Sequence, residues 1–438
     1  MTQTASTETL KTQNVPLKRV QLNSQRLVLD NGLVVLVTEN PTADIVAARL
    51  FIDAGSRYEQ LHQAGLSHLV AALLSKGTPN HTSQDIAAQV ESIGANLGVS
   101  SAPDYFVVSV KTVSADFAEL LALAAELIQC PIFPEAELAL ERKLTIQAIR
   151  ARQEQPMAIA LQQLRQSIHS NHAYGQPALG TLENVTSLER SHLIQFHEQH
   201  FSPHAAILSI AGNITVNNAQ TLVAKLFGNW KSSAFVPSLP APAIADRKPT
   251  QVMQTQPTQQ SIVMLGYPAP AVQDADYAAL KLLYTYLCSG LSSRLFAELR
   301  EKKGLAYEVS GFYPTRLHPS HFGVYLGTAS ENTALALSLL KSELERLSAE
   351  SIWAEEVNAT KSKLLGQYAL GKQTNHQIAH LYGLYAFLQL GADYDQQFVQ
   401  NIQAITPQQL QNVAVKHLME PFISLVGPES ALASLGDL

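Results

Sequence analysis

Two short segments carry residues whose types and spacing bear on chemistry. The first is GLSHLVAALLSKGT, residues 65–78. Its apolar spacing predicts a helix over about 64–75, which puts His68 and Ala72 four residues apart on one face. Two imidazoles at that spacing grip zinc, and a catalytic zinc needs three protein ligands plus an open position. This face carries one imidazole, and one imidazole does not hold zinc against water. Read from the residues alone, His68 is a packed or partly exposed histidine. His62 lies six residues away and off the helical face, so neither it nor His81 is expected to rebuild a site. The second segment is CSGLSSRLFAELREKKGLAYEVSGFY, residues 288–313. A Gly/Ser loop with Ser289 and Gly290 precedes a helix over Ser292–Lys303, capped by Ser292 or Ser293. Arg300, Glu301, Lys302 and Lys303 crowd its far end, where basic residues suit the helix dipole. Gly304 stops it, and LAYEVSGFY opens a strand. From the residues alone this is an exposed basic helix end followed by a buried tyrosine, Tyr307.

The elements that must position these residues come in two series. RLVLDNGLVVLVTEN reads as a hairpin, because Asn31-Gly32 supplies the positive φ angles of a tight turn. IVAARLFIDAG is a third strand. Thr82 or Ser83 caps a helix that runs to Ile93 and stops at Gly94. FVVSVKTV is a strand, and helices are predicted over 116–128, 135–153, 157–170 and 187–200. AAILSIAG is a strand, followed by a helix over 216–227. VPSLPAPAIADRKP has four prolines and no periodicity, which makes residues 235–249 a semi-rigid linker. The order then repeats. SIVMLGYPAP is a strand, 274–287 a helix, and 306–314 and 320–327 strands. Helices follow over 333–347, 354–371, 374–390 and 407–418, and FISLVG closes as a strand. Element order alone thus suggests a duplicated α+β unit. The expected domains are a tail at 1–21, a first half at 22–234, the linker, and a second half at 250–438.

Composition narrows the function classes. Apolar residues make up 46% and charged residues 15% of 438, a globular balance with ample core material. The net charge is −6 and no Lys/Arg block stands out, so nucleic acid is not an expected partner. No apolar run approaches the roughly 18 residues that span a bilayer, so no membrane role is expected. The N-terminal stretch has no hydrophobic signal region, and a polar tail on a cytoplasmic protein is the expectation. Cys130 and Cys288 are isolated, expected as buried small hydrophobes.

The frame around both segments resembles the pitrilysin/insulinase superfamily of metallopeptidases, the inverted zincins. It is carried by G-L-x-H-x-x-x-x-x-L-x-K-G-T, HTSQDIAAQVESIGANLG, HAYGQPALGTLENVTSL and FSPHAAILSIAGNIT, and by SSRLFAELREKKGLAY in the second half. The look is of the branch that includes the mitochondrial processing peptidase and short bacterial two-subunit peptidases. The resemblance implies an H-x-x-E-H motif, in which the Glu deprotonates zinc-bound water. His68 falls on the first ligand position, Ala71 on the general base, and Ala72 on the second histidine. ERKLTIQAI puts Ala148 where a third ligand, a Glu, stands in relatives. An L-N-A stretch on the substrate-pairing edge strand is replaced by Leu97-Gly98-Val99. The resemblance also implies that Arg300 and Tyr307 face a zinc site, the Arg donating to substrate carbonyls and the Tyr to the oxyanion. The loop Ser289, Gly290, Ser292, Ser293 corresponds to a glycine-rich entrance loop. The expectation is two homologous α/β-sandwich halves closing like a clamshell. No metal is expected in this chain. Zinc is expected in a homologous partner subunit, with a homodimer as the alternative, and peptides are the expected substrates.

Overall fold

A computed structural model describes residues 24–170, 172–232, 248–433 and 435. The tail expected at 1–21 and all but the last residues of the linker expected at 235–249 lie outside the described residues. The strands of the first half are β1 (Ser24–Val28), β2 (Val34–Glu39), β3 (Ile45–Ile52), β4 (Asn96–Ser101), β5 (Phe106–Val113) and β6 (Ala206–Gly212). Its helices are α1 (Leu66–Leu73), α2 (Ser83–Ser92), α3 (Phe117–Gln129), α4 (Glu135–Gln153), α5 (Pro156–Ile168), α6 (Leu182–Ser187), α7 (Arg190–His200) and α8 (Val216–Phe227). The second half has β7 (Gln251–Thr255), β8 (Gln260–Ala269), β9 (Glu308–Phe312), β10 (Ser320–Ala329) and β11 (Phe422–Gly427). Its helices are α9 (Tyr277–Cys288), α10 (Thr333–Ala349), α11 (Ala354–Leu370), α12 (Asn375–Phe387), α13 (Tyr394–Ala404), α14 (Pro407–His417) and α15 (Glu429–Ala433), with a π-helix at Phe296–Lys302.

Duplication, inferred above from element order, is written in the sheets. The first runs β1-β2-β6-β3-β5-β4 and the second β7-β11-β8-β10-β9. Without β1, the two orders correspond strand for strand. Directions match as well: β2 is parallel to β6 as β7 is to β11, and the remaining pairs are antiparallel. The fold is therefore two homologous halves of helix-covered, antiparallel-rich sheet.

The local signals act as expected at several points. Gly32 turns the hairpin at φ +88°, whereas Asn31 does not take the positive φ expected of it; its side-chain amide instead donates to Phe227 O at 2.7 Å. Thr82 and Asp85 form a reciprocal capping box. Other elements differ. The helix expected over 187–200 is α7, which begins at Arg190, and the short α6 that precedes it was not read from the sequence. β7, α13 and α15 were not legible as elements, because they are short or weakly periodic. Cys288 is buried as expected, but Cys130 is exposed at the end of α3.

Each half lends the other a helix. α5 packs on β8 and β11, with Ala160, Leu164 and Ile168 buried against Ile262, Met264, Phe422 and Val426. α12 packs on β3 and β6, with Ile378 and Ala379 against Ala47 and Ala211. Both contacts are closed by a glycine. A Cβ on Gly266 would come within 2.8 Å of Leu164, and one on Gly383 within 2.5 Å of the Phe51 ring. This exchange explains why β3 reads as a nearly continuous apolar run, since helices cover it on both faces.

Candidate functional site

The positions that resemble a metal site are assembled but lack ligands. α1 carries His68, Ala71 and Ala72 and packs against α4, which carries Ala148. Gly65 starts α1 at φ +99°, and the Glu59 carboxylate accepts from the Gly65 and Ser67 N–H groups at 3.0 and 2.6 Å. Burial pushes the Glu59 carboxyl up to about 7. Burial lowers the His68 pKa; Glu141 opposes that and Arg152 adds to it. Glu141 and Arg152 lie two turns before and one turn after Ala148, so that face of α4 runs beside His68. Ala71 is buried, whereas Ala148 is exposed. At the positions where the resemblance implies two of three ligands and the base, the side chains are methyl groups, and a zinc ion does not fit this donor set. Among the described residues no group of three His, Cys, Asp or Glu is placed to hold a metal. His62 is exposed, and His81 is turned to Glu126 at 3.3 Å.

The Arg/Tyr segment departs from its local reading in three ways. The helix is wound as a π-helix over Phe296–Lys302, a rare form that is frequent at functional sites. No serine side chain caps it: Ser293 is buried, and Ser292 Oγ accepts from Lys363 at 3.2 Å. Tyr307 is 60% exposed, not buried. The turn between Arg300 and Tyr307 is firmly held. Gly304 takes φ +63°, Leu305 N–H donates to Leu299 O at 2.9 Å, and Thr328 Oγ donates to Leu305 O at 2.6 Å. Tyr307 N–H donates to Gly327 O at 2.9 Å, which fixes its backbone on β10. Leu305 and Ala306 are buried beneath.

The arginines of this segment have different jobs. Arg294 is committed to Glu298 at 3.0 Å and Glu343 at 2.8 Å. Arg300 is exposed, lies over the Phe296 ring at 4.9 Å, and forms no ion pair with any described residue. The Tyr307 hydroxyl likewise makes no hydrogen bond to a described residue. No hydrogen bond or ion pair joins this segment to His68. The entrance-like loop is also built in. Gly290 has φ +73°, Lys363 donates to Ser289 O, Gln367 Nε2 donates to Ser289 Oγ at 3.0 Å, and Leu291 is left 77% exposed at the tip.

Sequence reasoning missed a buried polar seam between the halves. Asp104, 1% exposed, accepts from the Tyr174 hydroxyl and lies 3.7 Å from Arg57 and 4.0 Å from Arg316. Arg57 also pairs with Asp53 and reaches His318 at 3.3 Å. His169 and His321 share a proton at 2.9 Å. Burial pulls His169 down to about 3 and His172 to about 4. The HAYG string held Tyr174, but no spacing pointed to partners 70 and 144 residues away.

Comparison with known proteins agrees with this geometry. Residues 34–182 match the insulinase family, peptidase family M16, and residues 187–364 match the peptidase M16 inactive domain. An uncharacterized zinc protease of Rickettsia felis is 28% identical over 346 residues, 79% of this chain and 83% of its own. The uncharacterized zinc protease YmxG of Bacillus subtilis is 26% identical over 80% of this chain and 85% of its own. Among solved structures, a peptidase M16 inactive domain from Pseudomonas fluorescens superposes with a TM-score of 0.87 at 24% identity, covering 93% of this chain and 98% of that one. A protease from Helicobacter pylori gives 0.85 at 22% identity, covering 92% and 99%. With both halves matched in order and the duplicated sheet in place, the chain belongs to peptidase family M16, the insulinase family.

Proposed function

We propose that this chain is the non-metal-binding subunit of a two-chain zinc metallopeptidase that degrades or processes unfolded peptides. A homologous subunit bearing H-x-x-E-H holds zinc and the general base. This chain contributes Arg300, which donates to substrate carbonyls, and Tyr307, which donates to the oxyanion. One observation carries the reading. Arg300 and Tyr307 are exposed and uncommitted on a turn held by buried neighbours, while His68 has lost its companions at Ala72 and Ala148. Relatives described as zinc proteases support peptide hydrolysis as the setting. Two free thiols fit a reducing, cytoplasmic compartment.

The test is to mix this chain with an H-x-x-E-H homologue from the same organism and measure cleavage of an unfolded peptide. Activity absent from either chain alone is the expected result. A homologue fully active alone and unchanged by this chain would leave the second reading, a catalytically silent core-type or homodimeric peptide-binding protein of the same fold.

A further inference from the structure

The face of the first sheet that receives α12 carries charge without a counter-charge. Residues alternate along β3, so Ala47, Arg49 and Phe51 point toward α12 while Val46, Ala48, Leu50 and Ile52 enter the core of the first half. Arg49 is paired in register with Ser109 of β5 and Ser209 of β6. Its guanidinium donates to Nε2 of His376 on α12. With Nε2 accepting, the His376 proton sits on Nδ1, which is a second donor. Lys111 of β5, on the same face two residues beyond Ser109, is exposed. Neither Arg49 nor Lys111 forms an ion pair with a described carboxylate. Arg49 Nε and His380 Nδ1 are both buried without a hydrogen-bond partner. The groups acting electrically on Arg49, His376 and His380 are Tyr105, Lys111 and one another, with no Asp or Glu among them.

Beside this cluster the sheet face is exposed. The main contacts of α12 are with β3 and β6. Beyond them, the same face of β5 and β4 presents Ser109, Lys111, Asn96, Gly98 and Ser100 in register. Asn96 and Ser100 are exposed, and a Cβ built on Gly98 meets nothing within 4 Å. Apart from Val107, which pairs with Ser100 and is buried beside Phe51, this floor is polar, and it is continuous with the edge strand of the sheet. Unpaired Arg and Lys donors beside an open polar floor match a carboxylate, which accepts from a guanidinium in charge-assisted bonds.

We propose that Arg49, His376 and Lys111 form a carboxylate-binding subsite for an extended peptide lying over β5 and β4. The inference rests on the reading of this chain as a peptide-binding subunit and deepens it to acidic peptides. The carboxylate comes from an Asp or Glu side chain or from the peptide C-terminus.

The test measures binding of three labelled extended peptides to the full-length chain at low salt. One carries Glu residues and an amidated C-terminus, one has Gln in their place and a free-acid C-terminus, and one is the Gln peptide with an amidated C-terminus. The Glu peptide, or the free-acid Gln peptide, should bind about tenfold tighter than the amidated Gln peptide, equivalent to about 1.4 kcal/mol. Which of the two does so identifies the source of the carboxylate. Arg49→Gln should abolish the preference, and Lys111→Glu, at an exposed position that leaves the core untouched, should abolish or invert it. Equal binding of all three peptides, or a preference that survives Lys111→Glu, overturns the subsite and leaves the peptide-binding reading intact. Binding of none of the three overturns that reading itself.

Discussion

The two halves share a sheet order, strand directions and an exchanged helix, yet equivalent regions have gone opposite ways. In the first half, the segment between β3 and β4 holds α1, whose positions for chemistry are filled by Ala71 and Ala72. In the second, the segment between β8 and β9 holds a π-helix with an unpaired Arg300 and an exposed Tyr307 behind it. The packing that supports each is equally complete: Glu59 caps α1, and Thr328 and Gly327 tie down the Leu305–Tyr307 turn. A scaffold thus keeps its shape when its functional groups are lost, because side-chain chemistry at an exposed position contributes little to folding. Equal backbone quality in the two halves is for that reason no guide to which half acts; on the function proposed above, the exposed donors Arg300 and Tyr307 are.

The largest effect should come from the acting half. In the mixed enzyme, Tyr307→Phe and Arg300→Ala should each lower turnover by roughly 10²–10³, the usual cost of one oxyanion donor. Thermal unfolding of the isolated chain should not move, since both side chains are exposed. Unchanged turnover would remove the functional difference between the halves.

The silent half can be challenged in reverse. Elemental analysis of the purified chain should find no stoichiometric zinc, and the triple variant Ala71→Glu, Ala72→His, Ala148→Glu should bind one zinc per chain. A variant that folds but stays metal-free would mean that α1 and α4 no longer hold the ligand geometry.

A third experiment addresses the buried histidines, three of which (His169, His172 and His321) lie in the seam between the halves and two (His197 and His200) inside the first half. His169, His172, His197, His200 and His321 are all held below the ordinary histidine value, mainly by burial. The unfolded chain takes up their protons near 6.5, and the folded chain only well below that. Protons therefore favour unfolding throughout that window. Stability should be fully present above pH 6.5 and fall progressively as pH drops towards 4.5, read from urea midpoints. Glu59, raised to about 7, acts in the opposite direction: its stabilising contribution is present below the unfolded carboxyl value and is lost as pH rises through 7. A flat profile from pH 7 to 4.5 would contradict the burial of these histidines.

Leu164→Ala probes the exchanged helix, because Leu164 belongs to the first half by sequence and to the second by packing. It is fully buried, so a loss of about 2–5 kcal/mol is expected, with a single unfolding transition for both halves. Two separate transitions would mean that the exchange does not couple them. The smallest effect is Arg294→Ala. Its partly exposed ion pairs should cost about 0.5–1 kcal/mol, where Arg300→Ala costs nothing measurable in stability.

Much of this was legible in the residues. The turn at Gly32, the Thr82 cap and the strand runs follow from short-range rules, because φ preference and capping act over a few residues. Helical spacing puts His68 and Ala72 on one face, and the family resemblance marks Ala72 as the place of a missing second histidine. The family resemblance supplied Ala148, Arg300 and Tyr307 as positions. The exposure of Tyr307 went against the local reading, because a tyrosine opening a strand is as well suited to a core as to a surface.

What the sequence determined by itself is therefore local: where strands and helices start, and which chemical groups are absent from α1. What only the tertiary structure decided is which groups meet. Asp104 finds Tyr174 and Arg316, Arg49 finds His376, and α5 and α12 cross to the opposite sheets. Such contacts join residues tens to hundreds of positions apart, where side-chain periodicity carries no information about the partner. They are selected by burial, which leaves a charge either paired, as Asp104 is, or waiting for a ligand, as Arg49 is.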